Sequence, residues 1–142
     1  MFIKQISVFA ENKPGSILEI TGVLKDASIN IRALSIADTT DFGIVRLIVD
    51  KPNEAVAALK SHSLAVVETD VIAISVSDTP GGFHSALEAL FGAAVSVEYS
   101  YAFVSPISGG ATVILKCSAP ELAVQSLLDK SIKILSQDEI EI

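Results

Sequence analysis

Two stretches of the chain show the same succession of apolar and polar positions. Residues 6–10 form an apolar strand pattern, and apolar residues three and four apart over 17–27 predict an amphipathic helix. Residues 72–76 and 83–91 repeat this strand and helix pattern in the second part of the chain. The sequence therefore predicts an internal duplication.

A Pro-Gly pair joins strand to helix in each half, at Pro14-Gly15 and at Pro80-Gly81. The remaining segments of the two halves correspond in the same order. In the first half a strand begins at 29–31, a second strand covers 44–50, Pro52 opens a second helix and a closing strand covers 64–67. In the second half the matching segments are 95–97, 111–117, the helix opened by Pro120, and 132–135.

The order β-α-β-β-α-β in each half is that of the ferredoxin-like unit. We therefore predict an α+β fold of two such units, with antiparallel sheets and helices on one face. Residues 64–77 are nearly continuous strand-forming sequence, interrupted at Glu68-Thr69-Asp70, so we predict two rigidly coupled domains of residues 1–70 and 71–142. A single unit of this length is marginally stable, which favours a pair.

Composition excludes several partners. Half of the residues are hydrophobic, so the chain can bury a core, and seventeen Asp+Glu against ten Lys+Arg give a net charge of −7. This charge argues against nucleic acid and anionic membranes as partners. No apolar run reaches the roughly 20 residues of a membrane span, and the start lacks a signal peptide's apolar core. The single cysteine, Cys117, suits a reducing, cytoplasmic setting.

The residue types needed for catalysis do not occur at interpretable spacing. The chain has only two histidines, no Gly-rich phosphate loop, no Ser-His-Asp or Cys-His set and no metal-spaced cluster. We therefore expect no enzyme activity, no cofactor and no metal. A small enzyme on a ferredoxin-like sheet remains the alternative on fold grounds.

The segment Glu11-Asn12-Lys13-Pro14-Gly15, followed by a helix and by Ile29-Asn30-Ile31, resembles the ACT domain. Asp78-Thr79-Pro80-Gly81-Gly82 resembles a degenerate second copy. The resemblance implies a regulatory protein that binds an amino acid between ACT domains, and the closest local match is the serine-sensing domain of phosphoglycerate dehydrogenase. It assigns the ligand's polar groups to Asn12 and Asn30. Serine sensors carry a His where this chain has Ala10, so the resemblance does not carry over serine itself.

The same residues fit a zwitterion. Gly15 lets a ligand approach the backbone, N–H groups of a helix beginning near Ser16 can bind a carboxylate, and Asn can donate and accept. The candidate ligand-binding residues are Glu11, Asn12, Lys13, Pro14, Gly15, Ser16, Ile17, Asn30, Ile31, Asp78, Gly81, Gly82, Phe83, His84, Ser96, Glu98 and Tyr99.

Several of these residues also have a purely structural interpretation. Asn12 can cap the turn or the helix, and Asn30 can lie on a solvated strand edge. Asp78 repels a carboxylate but attracts an ammonium group. His84 fits a surface or interface position as well as a ligand contact.

Alternation over Val95, Val97, Tyr99, Tyr101 and Phe103 predicts that these side chains share one face, as a core or subunit contact or as a pocket wall. Residues 71–76 are apolar on both faces, which predicts self-association, most simply a dimer. The partners we expect are thus an amino acid, a second copy and a regulated enzyme of amino-acid metabolism. A structural adaptor without its own ligand is the alternative.

Overall fold

A computed structural model describes residues 1–38, 42–104 and 110–141, which form seven strands and five helices. In chain order these elements are β1 (Ile3–Glu11), α1 (Ser16–Asp26), β2 (Ile31–Asp38), β3 (Phe42–Val49), α2 (Pro52–Ser61), β4 (Ala65–Val76), α3 (Gly82–Gly92), β5 (Val97–Val104), β6 (Ala111–Cys117), α4 (Pro120–Asp129), β7 (Lys133–Leu135) and α5 (Gln137–Glu141).

The chain divides into two compact units. The first unit comprises Lys4–Thr69 with the C-terminal segment from Ile140 onward, and the second unit comprises Asp70–Glu139 with Met1–Ile3. β4 contributes its first residues to the first unit and the rest to the second.

The first unit contains an antiparallel sheet in the order β2-β3-β1-β4. Ile6 lies opposite Leu47 and Val8 opposite Val45, so alternate residues of neighbouring strands lie on one face. These residues pack against Ile20, Leu24 and Leu59 of α1 and α2, and the core of the unit lies between helices and sheet.

The second unit repeats this arrangement with the order β5-β6-β4-β7. Ile74 lies opposite both Val113 and Ile134, and these side chains pack against Leu90 of α3 and Leu127 of α4. The predicted α+β fold of two β-α-β-β-α-β units is confirmed.

Helices α1 to α4 end in the same way. The residues Ser28, Ser63, Ala94 and Ser131 take φ between 56° and 62° just after each helix. The next N–H, for example that of Val95, donates to the carbonyl oxygen of the last buried leucine, here Leu90 at 3.0 Å. This pattern is the Schellman motif, with Ser or Ala where glycine is usual.

Two sequence expectations were wrong in detail, and one helix was not predicted. β4 continues without interruption through Glu68-Thr69-Asp70, since it is a single strand from Ala65 to Val76. Residues 71–74 are at most 1% exposed within the single chain, so the expectation that they offer an apolar surface to a second copy was wrong, while self-association itself stays a prediction. α5 was not predicted, although Ser136 and Glu139 form a capping box in which each backbone N–H donates to the other's side chain.

No helix in the described ranges combines the length and the apolar composition required to cross a membrane.

Candidate ligand cleft at the first Pro-Gly turn

The turn between β1 and α1 exposes the amino end of the helix. Gly15 is the N-cap residue with φ 92°, a left-handed conformation that favours glycine, and no side-chain cap bond is made from this position. The Ser16 N–H donates to the Lys13 carbonyl oxygen at 3.3 Å, which closes the turn. First-turn N–H groups of a helix have no partner within the helix, so they form a site of positive potential.

A cleft of about 200 Å³ opens beside this turn. Five predicted site residues line it together with four further residues; the full set is Ala10, Glu11, Asn12, Lys13, Ser16, Ile17, Ile36, Gly43 and Val45. Pro14 and Gly15 shape the turn without lining the cleft. Ile36, Gly43 and Val45 were missed from the sequence because β2 and β3 approach the turn only through sheet pairing.

A second cavity of about 370 Å³ shares Glu11, Lys13 and Ser16 with the cleft. Phe9 and Phe42, which are 43% and 60% exposed, line it as well. Lys13 Nζ lies 3.2 Å from Glu11 Oε2, and both side chains are exposed. The turn therefore carries one paired cation and anion beside two cavities.

Asn30 and Ile31 do not line the cleft of their own unit. The Asn30 N–H donates to Asp50 Oδ1 at 2.9 Å, and the Asp50 N–H donates to the Asn30 carbonyl oxygen at 3.1 Å. Ile31 opens β2 and packs against the core of the first unit. The predicted grouping of Asn12 with Asn30 is thus absent from the cleft within one unit.

The Pro-Gly turn of the second unit is closed more tightly. Gly81 has φ 82°, and a Cβ at Gly82 would collide with the carbonyl oxygen of Ser77. Ser77 Oγ in turn lies 2.9 Å from Thr79 Oγ1. At the corresponding position of the first turn, by contrast, Ser16 carries a Cβ, while Gly15 and Gly81 are alike in that a Cβ at either would meet no atom within 4 Å. Ser77 thus takes up the space behind the second turn.

The other second-unit candidates make separate local contacts. Asp78 is exposed, and Phe83 is half-buried against the core of the second unit. His84 is exposed on α3, with its Nε2 3.5 Å from Glu88 Oε1. Ser96 exchanges two hydrogen bonds with Ser118, as Asn30 does with Asp50. Ser96 therefore holds the start of β5 to the end of β6.

Glu98 and Tyr99 lie at a bulge that corrects the predicted alternation along β5. The register shifts between Val97, opposite Cys117, and Tyr99, opposite Lys116. Val95 and Val97 consequently belong to the helix-facing core, whereas Tyr99 and the alternate positions after it lie on the opposite face. The expectation that all five side chains share one face was wrong; the three aromatic rings do share one. Glu98 Oε2 lies 3.9 Å from Lys116 Nζ.

Cys117 is 2% exposed in the core of the second unit. Burial raises the pKa of its thiol; Lys116 lowers it and Glu98 raises it. A buried thiol with a raised pKa behaves as a small hydrophobic residue rather than as a nucleophile. Within the described ranges, no group of three or more His, Cys, Asp or Glu side chains is arranged to hold a metal ion.

A wide groove of about 700 Å³ between α3 and α4 was not predicted. Ser85, Glu88 and Ala89 line it from α3, and Ser126 and Asp129 line it from α4. The small side chains of Ser85 and Ala89, four residues apart on α3, were the signal in the sequence.

Comparison with known proteins places the whole chain in one family. The ACT domain pair family matches residues 1–142. The crystal structure of protein BT0572 from Bacteroides thetaiotaomicron is 38% identical, with a TM-score of 0.94 over 99% of this chain and 96% of that one. No curated protein sequence matches the chain.

More distant structures share the fold. The regulatory subunit of aspartate kinase from Thermus thermophilus, in its ligand-free form, is 16% identical with a TM-score of 0.63, over 89% of this chain and 91% of that chain. Aspartokinase alpha and beta subunits are 14% identical with a TM-score of 0.60, over 90% and 91%. Because the ACT domain pair family matches residues 1–142, the chain belongs to that family.

Proposed function

We propose that this protein is a non-catalytic sensor, which binds an amino acid in the first-unit cleft and regulates a partner enzyme of amino-acid metabolism. The observation that carries the proposal is the cleft beside Gly15, where the amino end of α1 meets polar and aliphatic side chains in a small volume. In this proposal the two ACT domains span residues 1–70 and 71–142, and the sensor acts in the cytoplasm.

The chemistry of the cleft suits a zwitterion with an aliphatic side chain. A carboxylate is favoured at the first-turn N–H groups of α1, beside Ser16 and Lys13. An ammonium group is favoured at the Glu11 carboxylate. Ile17, Ile36 and Val45 supply an apolar wall for the side chain. The volume of about 200 Å³ is below the roughly 300 Å³ at which pockets for drug-sized ligands begin, which favours a small metabolite.

A second copy completes this proposed site. β2 is an edge strand, and its Leu34 and Ile36 are 41% and 52% exposed on the helix-facing side. An antiparallel β2 from a second copy would bury these side chains and saturate the strand's outer edge. Because an antiparallel partner runs in the opposite direction, its first residues lie opposite the last residues of β2. Asn30 of the partner subunit would then approach Ile36 and the cleft.

Regulation of a partner follows from the absence of catalytic machinery in the sequence. The Thermus thermophilus relative is the regulatory subunit of aspartate kinase, which supports a comparable role for this chain. A ligand that contacts two copies favours the arrangement in which both contacts are made. The difference in the ligand's affinity between this arrangement and others, about 1–3 kcal/mol in such couplings, would change the activity of the partner enzyme.

A thermal-shift screen against the twenty amino acids tests the proposal. A ligand at about 100 times its dissociation constant adds roughly 2.7 kcal/mol of stability. Asn12→Ala should weaken binding of the amino acid found, whereas Asn53→Ala, an exposed Asn in the first turn of α2, should leave it unchanged. No response to any amino acid favours the adaptor without a ligand, and equal binding by both variants contradicts the assignment of the cleft.

Light scattering tests the contribution of the second copy. Ile36→Lys should convert a dimer to a monomer and weaken amino-acid binding together, because the edge of β2 then repels its copy. Leu18→Lys, at a 75% exposed position on α1, is the matched control and should leave the dimer intact. A monomeric wild-type chain that binds the amino acid with full affinity contradicts the completed site.

A further inference from the structure

α3 presents an exposed apolar stripe on its solvent side. Phe91 is 86% exposed and Leu87 lies one turn before it, so the two side chains lie on the same face of the helix. With His84, Glu88 and Gly92 they line a shallow cavity of about 400 Å³. A large aromatic side chain left in water on a regular helix marks an interaction surface when it belongs to a wider patch.

The stripe continues into the groove between α3 and α4. Glu88 and Gly92 line both the shallow cavity and the groove of about 700 Å³. The groove is open because Ser85 and Ala89 of α3 and Ala93, which follows the helix, face it with short side chains that leave space between the helices. Stripe and groove together, from His84 on α3 to Asp129 on α4, form what we term the α3–α4 surface.

The α3–α4 surface is acidic. Glu88 and Asp129 line it, together with one cation, Lys130, which follows the last turn of α4, and the two helices themselves contain no Lys or Arg. Helices α1 and α2 each carry a lysine in the last turn. Residues 70–139 hold eight of the seventeen Asp+Glu but three of the ten Lys+Arg, so the acidity extends over the second unit. The complementary occupant is therefore cationic.

The internal duplication shows that the fold does not require this stripe. The α1 positions that correspond to Leu87 and Phe91 are Thr21 and Lys25, 66 residues earlier. The first unit forms the same core with polar residues at these positions. Leu87 and Phe91 thus serve something other than the packing of their own unit.

We propose that the α3–α4 surface is a docking site for a basic amphipathic helix of a partner protein. An apolar side chain of that helix would lie against Leu87 and Phe91, and its Lys or Arg side chains would face Glu88 and Asp129. Apolar anchors in a groove give affinity to such helix docking, and opposite charges give orientation and speed of association. The proposal does not depend on which ligand, if any, occupies the first-unit cleft.

The test uses the full chain and two fluorescein-labelled model helices. One is a Leu/Lys amphipathic peptide, and the other has the same Leu spacing with Glu in place of Lys. Fluorescence anisotropy should show binding of the Leu/Lys peptide alone, weaker at higher ionic strength because the charged contacts are partly exposed. Phe91→Ala should weaken binding about tenfold, the effect of losing a central aromatic anchor.

A control variant and a charge variant accompany Phe91→Ala. Leu18→Ala removes a 75% exposed apolar side chain from α1 and should leave peptide binding unchanged. Glu88→Gln should weaken binding and reduce its dependence on salt. The altered side chains are all exposed, so the melting temperatures of the variants should stay close to that of the wild type.

Three results overturn the proposal. Equal binding of the Leu/Lys peptide to wild type and to Phe91→Ala means general charge attraction without an anchor. Failure of the Leu/Lys peptide to bind means that the surface does not accept a basic helix. Dissociation of a wild-type oligomer by Phe91→Ala, measured by light scattering, means that a second copy of this chain occupies the surface instead.

Discussion

Asn30 and Asp50 hold the start of β2 to the end of β3 by two hydrogen bonds, one into the Asp50 carboxylate and one between backbone groups. Ser96 and Ser118 repeat the pair in the second unit, with a hydroxyl oxygen at 3.0 Å in place of the carboxylate. In both pairs the first residue contributes only backbone atoms. The Asn30 amide side chain takes no part in either bond.

This division of roles predicts that Asn30→Ala and Asp50→Ala have different effects. Asp50→Ala should lower the free energy of unfolding by about 1 kcal/mol, because the Asn30 N–H loses its charged acceptor. Asn30→Ala should change it by less than about 0.5 kcal/mol, because the backbone bonds remain. Urea denaturation measures both. Equal destabilisation by the two variants contradicts a backbone-only role for Asn30.

Gly82→Ala should destabilise the protein by about 1–3 kcal/mol, because the new Cβ collides with the Ser77 carbonyl and one of the two must shift. Gly22→Ala is the matched control, since Gly22 lies within α1 and a Cβ there meets no atom within 4 Å. It should stabilise the protein by up to about 1 kcal/mol through helix propensity. Thermal unfolding measures the two changes in stability, which should have opposite signs. Equal changes in Gly82→Ala and Gly22→Ala argue against a close approach at Gly82.

Ala94→Gly should stabilise the protein by about 0.5–1 kcal/mol. Ala94 has φ 56° after α3, and a left-handed conformation costs a residue with a Cβ about 1–2 kcal/mol. The same substitution at exposed Ala57, inside α2, should instead cost about 1 kcal/mol. Chemical denaturation of the two variants measures the difference, and destabilisation by both contradicts the strain at Ala94.

The contacts of the Glu139 carboxylate at the start of α5 should be lost at low pH. The Ser136 N–H and then Lys133 donate hydrogen bonds to its carboxylate, which lowers the pKa of Glu139 below its ordinary value. A lowered pKa in the folded state means that this contact stabilises the fold above the ordinary glutamate pKa and is lost as the pH falls through the lowered one. NMR titration should show a lowered midpoint for Glu139 that returns toward the ordinary value in Ser136→Pro together with Lys133→Ala, because proline has no backbone N–H to donate. A midpoint at the ordinary value in the wild type contradicts these contacts.

Local patterns in the sequence were enough to predict the two β-α-β-β-α-β units. The strand and helix periods and the Pro residues at Pro52 and Pro120 are properties of a few consecutive residues, and each of these prolines opens its helix as predicted. The turn residues Glu11, Asn12, Lys13, Ser16 and Ile17, close together in sequence, also meet in the cleft. For these residues, proximity along the chain ensures proximity in space.

Tertiary structure decided what depends on residues far apart in the chain. Only strand pairing brings Ile36, Gly43 and Val45 to the cleft, and β4 is a single strand through Glu68-Thr69-Asp70. A one-residue bulge, invisible to a period-of-two pattern, moves Tyr99 to the face opposite Val97. The Ser77 carbonyl leaves no room for a Cβ at Gly82, whereas Ser16 carries one at the corresponding position of the first turn, and this difference depends on the path of the backbone around each turn.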